Sequence, residues 1–337
     1  VRTTRTAITQ RKESPMPHPR TLTALAIALA APGIATAGTS SPTGQAPNFT
    51  GPLVTPAVNT MPAGMVNIEP YLIHTNTRGS YDNAGRRHEQ HTKYRQWQIA
   101  VPMTYALTDS SAVQLTLNAL RTSGGGLHTD GLRMGDTVVR VQQRLRAPAA
   151  DGTGLVLGLA LAQRFTTGKY HQLDTNPLNA TGNGAARTTL SLGAQQLHWL
   201  PNDHALRWRG QVAWSPSPGH VRVHDRSVYG TSHGFRGSAR VGQAWNATIA
   251  AEYVLDTRWV LVGEAIWNRT GPSRVAGLHG SHEDRFALAP SHDISLAPAV
   301  EYHFSPTIGL IAGVQFSVAG RNAGDYVAPQ AALNMVF

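Results

Sequence analysis

The sequence predicts an all-β fold, a transmembrane antiparallel up-and-down β-barrel of about 12 strands. Three observations carry that reading. Apolar residues alternate with small or polar ones at period two through most of the chain, which is the side-chain period of a strand. The connections between these segments alternate between short and long. Charged residues inside the segments keep to one parity while aromatic residues gather at segment ends. Composition agrees: only 14% of the 337 residues are charged, against about 25% in a typical soluble domain. No apolar run of about 18 residues follows residue 40, so no helix of the mature chain is expected to span a bilayer. Cysteine is absent, which excludes disulfides and thiolate chemistry.

The N-terminus is expected to be an export signal. Met16 opens a stretch with a basic Arg20, an apolar core from Leu22 to Ala31 and the small-residue triplet Ala35, Thr36, Ala37. This predicts cleavage after Ala37, with residues 1–15 an over-extended start. Removing residues 1–37 lowers the formal charge from +10 to +6. The remaining arginines sit singly inside strands, so the expected partners are outer-membrane lipid and anionic lipopolysaccharide rather than nucleic acid. Residues 38–62, rich in Pro, Ser, Thr and Gly, read as a flexible periplasmic lead-in to a barrel spanning 63–337, with a plug of the periplasmic mouth as the alternative.

Twelve strand-like segments follow: 65–74, 92–107, 111–122, 134–147, 154–166, 187–199, 204–216, 237–255, 257–269, 292–304, 306–319 and 325–337. An even number suits a single-chain bacterial barrel. Short turns fall at 108–110, 148–153, 201–203, 256–257 and 305–306; long connections run across 75–91, 123–133, 167–186, 217–236 and 270–291. Short periplasmic turns and long extracellular loops produce this alternation, with the short tip at 321–324 as the exception. The last hairpin shows the parity most clearly. Ile308, Leu310, Ala312, Val314, Phe316 and Val318 share one face, as do Val327, Pro329, Ala331, Leu333, Met335 and Phe337. That face is expected to meet lipid, and the terminal Phe337 to serve as an assembly signal for the barrel-assembly machinery.

Aromatic pairs predict two girdles: Trp97 with Tyr105, Trp208 with Trp214, Trp245 with Tyr253, and Trp259 with Trp267. Eight residues between the last two, at about 3.3 Å each, cover roughly 26 Å of strand. Tilted by about 40°, that spans roughly 20 Å of membrane normal.

If the apolar parity faces lipid, the other parity lines the lumen. It carries Glu69, Arg140, Gln142, Arg144, Arg146, Arg164, Arg207, Arg209, Gln211, Arg240, Glu252, Glu264, Glu301 and His303. A charge facing lipid at mid-depth costs about 2–4 kcal/mol, so confinement to one face is informative. Opposed glutamates and arginines predict a lumen lattice that either holds a narrow barrel rigid or lines an anion-selective conduit. No catalytic motif is present, and no enzymatic activity, metal or cofactor is expected. The dipeptides Ser232-His233, Ser281-His282 and Ser291-His292 lack a partner pattern, and His88/His91 and His279/His282 lack a third ligand in register.

A more specific pattern runs through residues 134–270. It comprises Gly135-Asp136 at a strand start, Thr167-Gly168 with Tyr170, Asn183-Gly184, and Tyr253, Leu255, Trp259, Gly263 and Glu264 in a late hairpin. This resembles the outer-membrane proteins of the phenol meta-pathway degradation family, departing at Thr166 where that family usually has Pro. The resemblance implies a transporter-like channel for small, aromatic or hydrophobic solutes and carries over no catalytic residues. A closed structural or surface-binding barrel, with partner-binding external loops, is the alternative.

Overall fold

The computed structural model describes residues 47–337. The expected signal segment, its cleavage site and the first part of the lead-in lie outside them. Twelve strands form the wall: β1 (Val66–Ile68, continued by Tyr71–Tyr81), β2 (Arg95–Thr108), β3 (Ser111–Gly124), β4 (Arg133–Met134 and Thr137–Arg146), β5 (Gly154–Phe165), β6 (Arg187–Trp199), β7 (Ala205–Ser215), β8 (Ala244–Val254), β9 (Trp259–Thr270), β10 (Ser291–Leu296 and Ala299–Ser305), β11 (Ile308–Arg321) and β12 (Ala323–Val336). Each pairs antiparallel with its sequence neighbours. The ring closes because β1 pairs with both β2 and β12, Tyr71 standing opposite Ala100 on one side and Ala332 on the other. At the seam the Phe337 N–H donates to the Val66 carbonyl at 2.8 Å, and the Val66 N–H returns the bond at 3.0 Å. Closure leaves no strand edge, which an apolar surround requires of any β-structure.

Side-chain parity sorts the two faces as expected. On β6, Leu190 and Leu192 are 49% and 54% exposed while Ser191 and Gln195 between and beyond them are each 7% exposed. The apolar face is therefore the outer one, the reverse of a soluble protein.

The long connections hold more structure than their composition suggests. At one level, β7 to β10 are interrupted by Pro216 to Gly219, by 241–243, by Gly271-Pro272 and by Ala289-Pro290. Proline removes a ladder donor, and glycine offers nothing to pack. Past the break the same four strands resume as a separate antiparallel sheet: His220–His224, Phe235–Arg240, Ser273–His279 and His282–Leu288. Residues expected to be the loops 217–236 and 270–291 thus form most of this sheet, and the expected single strand 237–255 is two. Val221, Val223, Phe235, Ala239 and Val275 on its inner face pack with Ala185 and Tyr229, and Tyr170 covers them. The connection from β5 to β6 is tied there by Gln172 N–H to the His224 carbonyl and Leu173 N–H to the Arg226 carbonyl. β1 likewise runs seven residues beyond the expected 65–74, paired at its end with Arg87–Glu89.

Removing Phe337 deletes two backbone bonds at the closing seam. The truncated chain is expected to yield a smaller fraction of barrel that resists unfolding by detergent without heating, read as the heat-modifiable band on gels; an unchanged fraction counts against a role for the seam residue in assembly.

Candidate functional site

Residues 47–62, expected to be a flexible lead-in, lie along the inner wall of the barrel. The segment has no regular secondary structure, so its buried N–H groups need partners from elsewhere. Lumen side chains supply them. Glu301 accepts from the Thr50 and Gly51 N–H groups at 2.7 and 3.0 Å. Glu264 accepts from the Val54 and Thr55 N–H groups at 3.1 and 2.7 Å, and from the Thr55 hydroxyl at 2.8 Å. Further along, the Val58 N–H donates to Gln195 Oε1 at 3.2 Å, while Gln142 Nε2 donates to the Val58 carbonyl at 2.8 Å. Arg144 Nη1 donates to Asn59 Oδ1 at 2.8 Å. The segment then leaves by the turn between β2 and β3, where the Ala63 N–H donates to Asp109 Oδ1 at 2.8 Å.

Apolar contacts fix its depth. Leu53 joins Leu197, Ala205, Val254, Val260, Val262 and Ile311 at the short-turn end, with Phe49 against them. The Arg207 guanidinium sits 3.6 Å above the Phe49 ring, a cation–π contact. The wall makes room with small residues. A Cβ at Gly193 would lie 2.8 Å from Val58 Cγ2, so the segment's deepest side chain fits only because that position is bare. The segment therefore enters at the short-turn end, bends at Val58 and returns to the same end.

The predicted lumen residues do not form a single lattice. Of the predicted glutamates, Glu252 is the one bound by arginine among the described residues, and it is bound by two. Arg207 is bidentate to it through Nε at 2.7 Å and Nη2 at 2.6 Å, and Arg209 Nε adds a bond at 3.1 Å. Glu264 and Glu301 hold backbone N–H groups of the entry segment instead of guanidinium groups, and His303 Nε2 lies 3.3 Å from Glu301. Glu69 accepts from the Tyr71 hydroxyl at 3.0 Å. Arg140, Arg144 and Arg164 project from β4 and β5, half-buried. Arg240 is not in the wall: it is exposed on the four-stranded outer sheet, opposite Arg274. The interruption at 241–243 uncouples its parity from that of β8.

Sequence reasoning missed Asp325, fully buried and bound by Arg78 at 2.7 Å and Arg87 at 2.5 Å. Its two partners lie in what reads as a loop, so no parity rule reached them. Arg187, the first residue of β6, was legible on the parity of Ser191 and Gly193. The aromatic residues sit at the two ends of the wall. Trp97, Trp214, Trp245 and Trp267 lie toward the long connections, and Tyr105, Trp208, Tyr253 and Trp259 toward the short turns. Trp214 and Trp245 pack with ring centroids 6.1 Å apart and planes tilted by 38°, and Tyr302 and Phe304 extend the group around Trp259.

The other sequence candidates have ordinary partners. His88 Nε2 lies 2.9 Å from Asp82 Oδ2. That contact, with N–H bonds from Arg86 and Ala84, holds the Asp82 carboxyl well below the usual carboxylate range. His233 lies 3.4 Å from Asp174 and 3.7 Å from Asp225 and is largely exposed. No serine of the three Ser-His dipeptides bonds to a histidine among the described residues.

Breaking the buried triad leaves charge without a partner. Glu252→Gln is expected to cost about 3–5 kcal/mol, read as a lower temperature for loss of the heat-modifiable band, because Arg209 is only 4% exposed. An unchanged temperature would mean that solvent already screens the triad.

No family model matches the chain, and no curated protein matches it. Solved structures do. An outer-membrane channel from Pseudomonas putida F1 superposes with a TM-score of 0.60 at 17% identity, covering 84% of this chain and all of that one. The translocator domain of the autotransporter NalP from Neisseria meningitidis has a TM-score of 0.43 at 12% identity, covering 82% of this chain and 90% of its own. The transport unit of the autotransporter AIDA-I from Escherichia coli has a TM-score of 0.43 at 12% identity over 84% of this chain and 93% of that chain. The first of these shows the fold of this chain to be that of an outer-membrane β-barrel.

Proposed function

We propose that the chain is an outer-membrane channel for passive uptake of small solutes, with residues 47–62 as an internal stopper that must shift for solute to pass. One observation carries the reading. The segment filling the lumen is attached by side-chain bonds to the wall rather than by strand pairing. Such bonds contribute about 0.5–1.5 kcal/mol each, somewhat more to a carboxylate, so the segment can leave while the wall, with its continuous ladder, stays intact. The polar inner face and the apolar outer face with aromatic ends support placement in an outer membrane, where lipid and lipopolysaccharide surround the wall and the assembly machinery inserts it. The resemblance to the phenol meta-pathway degradation proteins supports aromatic or hydrophobic solutes.

The second reading, a closed structural or surface-binding barrel, draws on the four-stranded outer sheet, which presents an ordered external surface. Planar-bilayer recording on the full chain and on a chain lacking residues 47–62 separates the two. The channel reading expects conductance from the full chain and a larger unitary conductance from the deletion. No conductance from either, with both folded by the heat-modifiable band, would sink it.

A further inference from the structure

The lumen's charges are not mixed; they are segregated. Its acids are engaged: Glu252 by Arg207 and Arg209, Glu264 and Glu301 by the entry segment, Asp325 by Arg78 and Arg87, Asp293 by Asn268 at 3.2 Å, Glu69 by the Tyr71 hydroxyl, and Asp136, on the parity of Arg140, by the Gly168 and Asn183 N–H groups. On the wall formed by β4, β5 and β6 the balance is reversed. Arg187 stands directly opposite Arg164, and Arg140 stands opposite Ala162, two residues along β5 from Arg164. Among the described residues none of the three lies within salt-bridge distance of a carboxylate. Like charges directly opposite on adjacent strands repel, so this arrangement is costly when nothing anionic lies between them.

Two further observations bear on these arginines. Arg187 is 7% exposed, yet its Nη1 is buried without a hydrogen-bond partner, only Nη2 being used by the Gly242 carbonyl at 3.0 Å. Below it a narrow crevice runs between wall and entry segment, with Ala57 and Val58 on one side and Arg140, Gln142, Ser191 and Gln211 on the other. The wall registers stack these residues in order. Gly193 and Gly158, which touch Val58, are followed outward by Ser191 and Ala160, then Thr189 and Ala162, then Arg187 and Arg164. The arginines thus line the lumen immediately outside the stopper, at the place a solute reaches before the stopper yields.

We propose that Arg140, Arg164 and Arg187 form a binding site for the carboxylate of a small organic acid, and that the solutes admitted by this barrel carry such a group. The site rests on the channel reading for its purpose but not for its chemistry. Guanidinium forks match a carboxylate bidentately, and Ser191 and Gln211 beneath them offer neutral donors, while Gln142 is held by the Val58 carbonyl and by Arg140. A neutral hydrocarbon would leave the arginine charge unmet.

The test uses the full chain in detergent and in planar bilayers. Benzoate is the probe and benzyl alcohol its neutral counterpart of similar size. By calorimetry, benzoate is expected to bind and benzyl alcohol not to. R140Q/R164Q, which leaves buried Arg187 and its bond to Gly242 in place, is expected to weaken benzoate binding by about tenfold or more. R140Q/R164Q/R187Q is expected to abolish it. Under a salt gradient the reversal potential of the wild type is expected on the anion side, moving toward the cation side in the double variant. Equal binding of benzoate and benzyl alcohol, or unchanged benzoate affinity in a double variant that retains its heat-modifiable band, overturns the site. Arginine-dependent benzoate binding without any conductance leaves the site standing and removes the channel; conductance without benzoate discrimination does the opposite.

Discussion

A polypeptide backbone that meets an apolar surround has to pair every N–H and C=O within itself, and in β-structure that demands a closed ring. The Val66–Phe337 seam meets this demand here, and the remaining architecture depends on it. Closure divides each strand into an outer face that contacts the surround and an inner face that does not. The outer face becomes the place for leucine and tryptophan. The inner face must then take the polar residues, and a narrow polar interior needs its own accounting of charge and hydrogen bonds.

That accounting brings the entry segment inside. Glu264 and Glu301 face inward with no arginine on them, and an unpaired carboxylate in a confined lumen is expensive. The segment from Thr50 to Thr55 has the complementary problem, a run of N–H groups outside any ladder. Each solves the other's. The result is charge segregation around the wall: Glu252, Glu264 and Glu301 are met by Arg207, Arg209 or backbone amides, while Arg140, Arg164 and Arg187 have no carboxylate within salt-bridge distance among the described residues. Pairing of this kind holds the segment without building it into the sheet.

The outer end follows a different rule. Four neighbouring strands break at one level, at Pro216 to Gly219, 241–243, Gly271-Pro272 and Ala289-Pro290, and re-form as a smaller sheet. The apolar face of that sheet, around Phe235 and Val275, is buried against the β5–β6 connection instead of facing outward. The inside-out pattern of the wall thus changes to the ordinary pattern of a soluble sheet within a few residues, and the proline and glycine breaks are what permit the change.

The amino-acid sequence by itself determined the strand count, the antiparallel order, the alternation of connection lengths and the face to which Leu190, Leu192, Glu252 and Arg209 belong. Those properties rest on period-two alternation and turn chemistry, which are local and survive in a linear string. Only the tertiary structure decided which groups meet across the lumen. Glu264 reads as a lattice member on parity alone, yet it binds residues some two hundred positions earlier; Asp325 finds Arg78 and Arg87 from a stretch without regular alternation; Arg240 leaves the lumen because an interruption at 241–243 resets its parity. Residues 47–62 show the limit most clearly. Their composition is that of a mobile leader, and nothing local distinguishes such a leader from a segment ordered by partners. The carboxylates that order it lie on strands that close around it only when the barrel is complete.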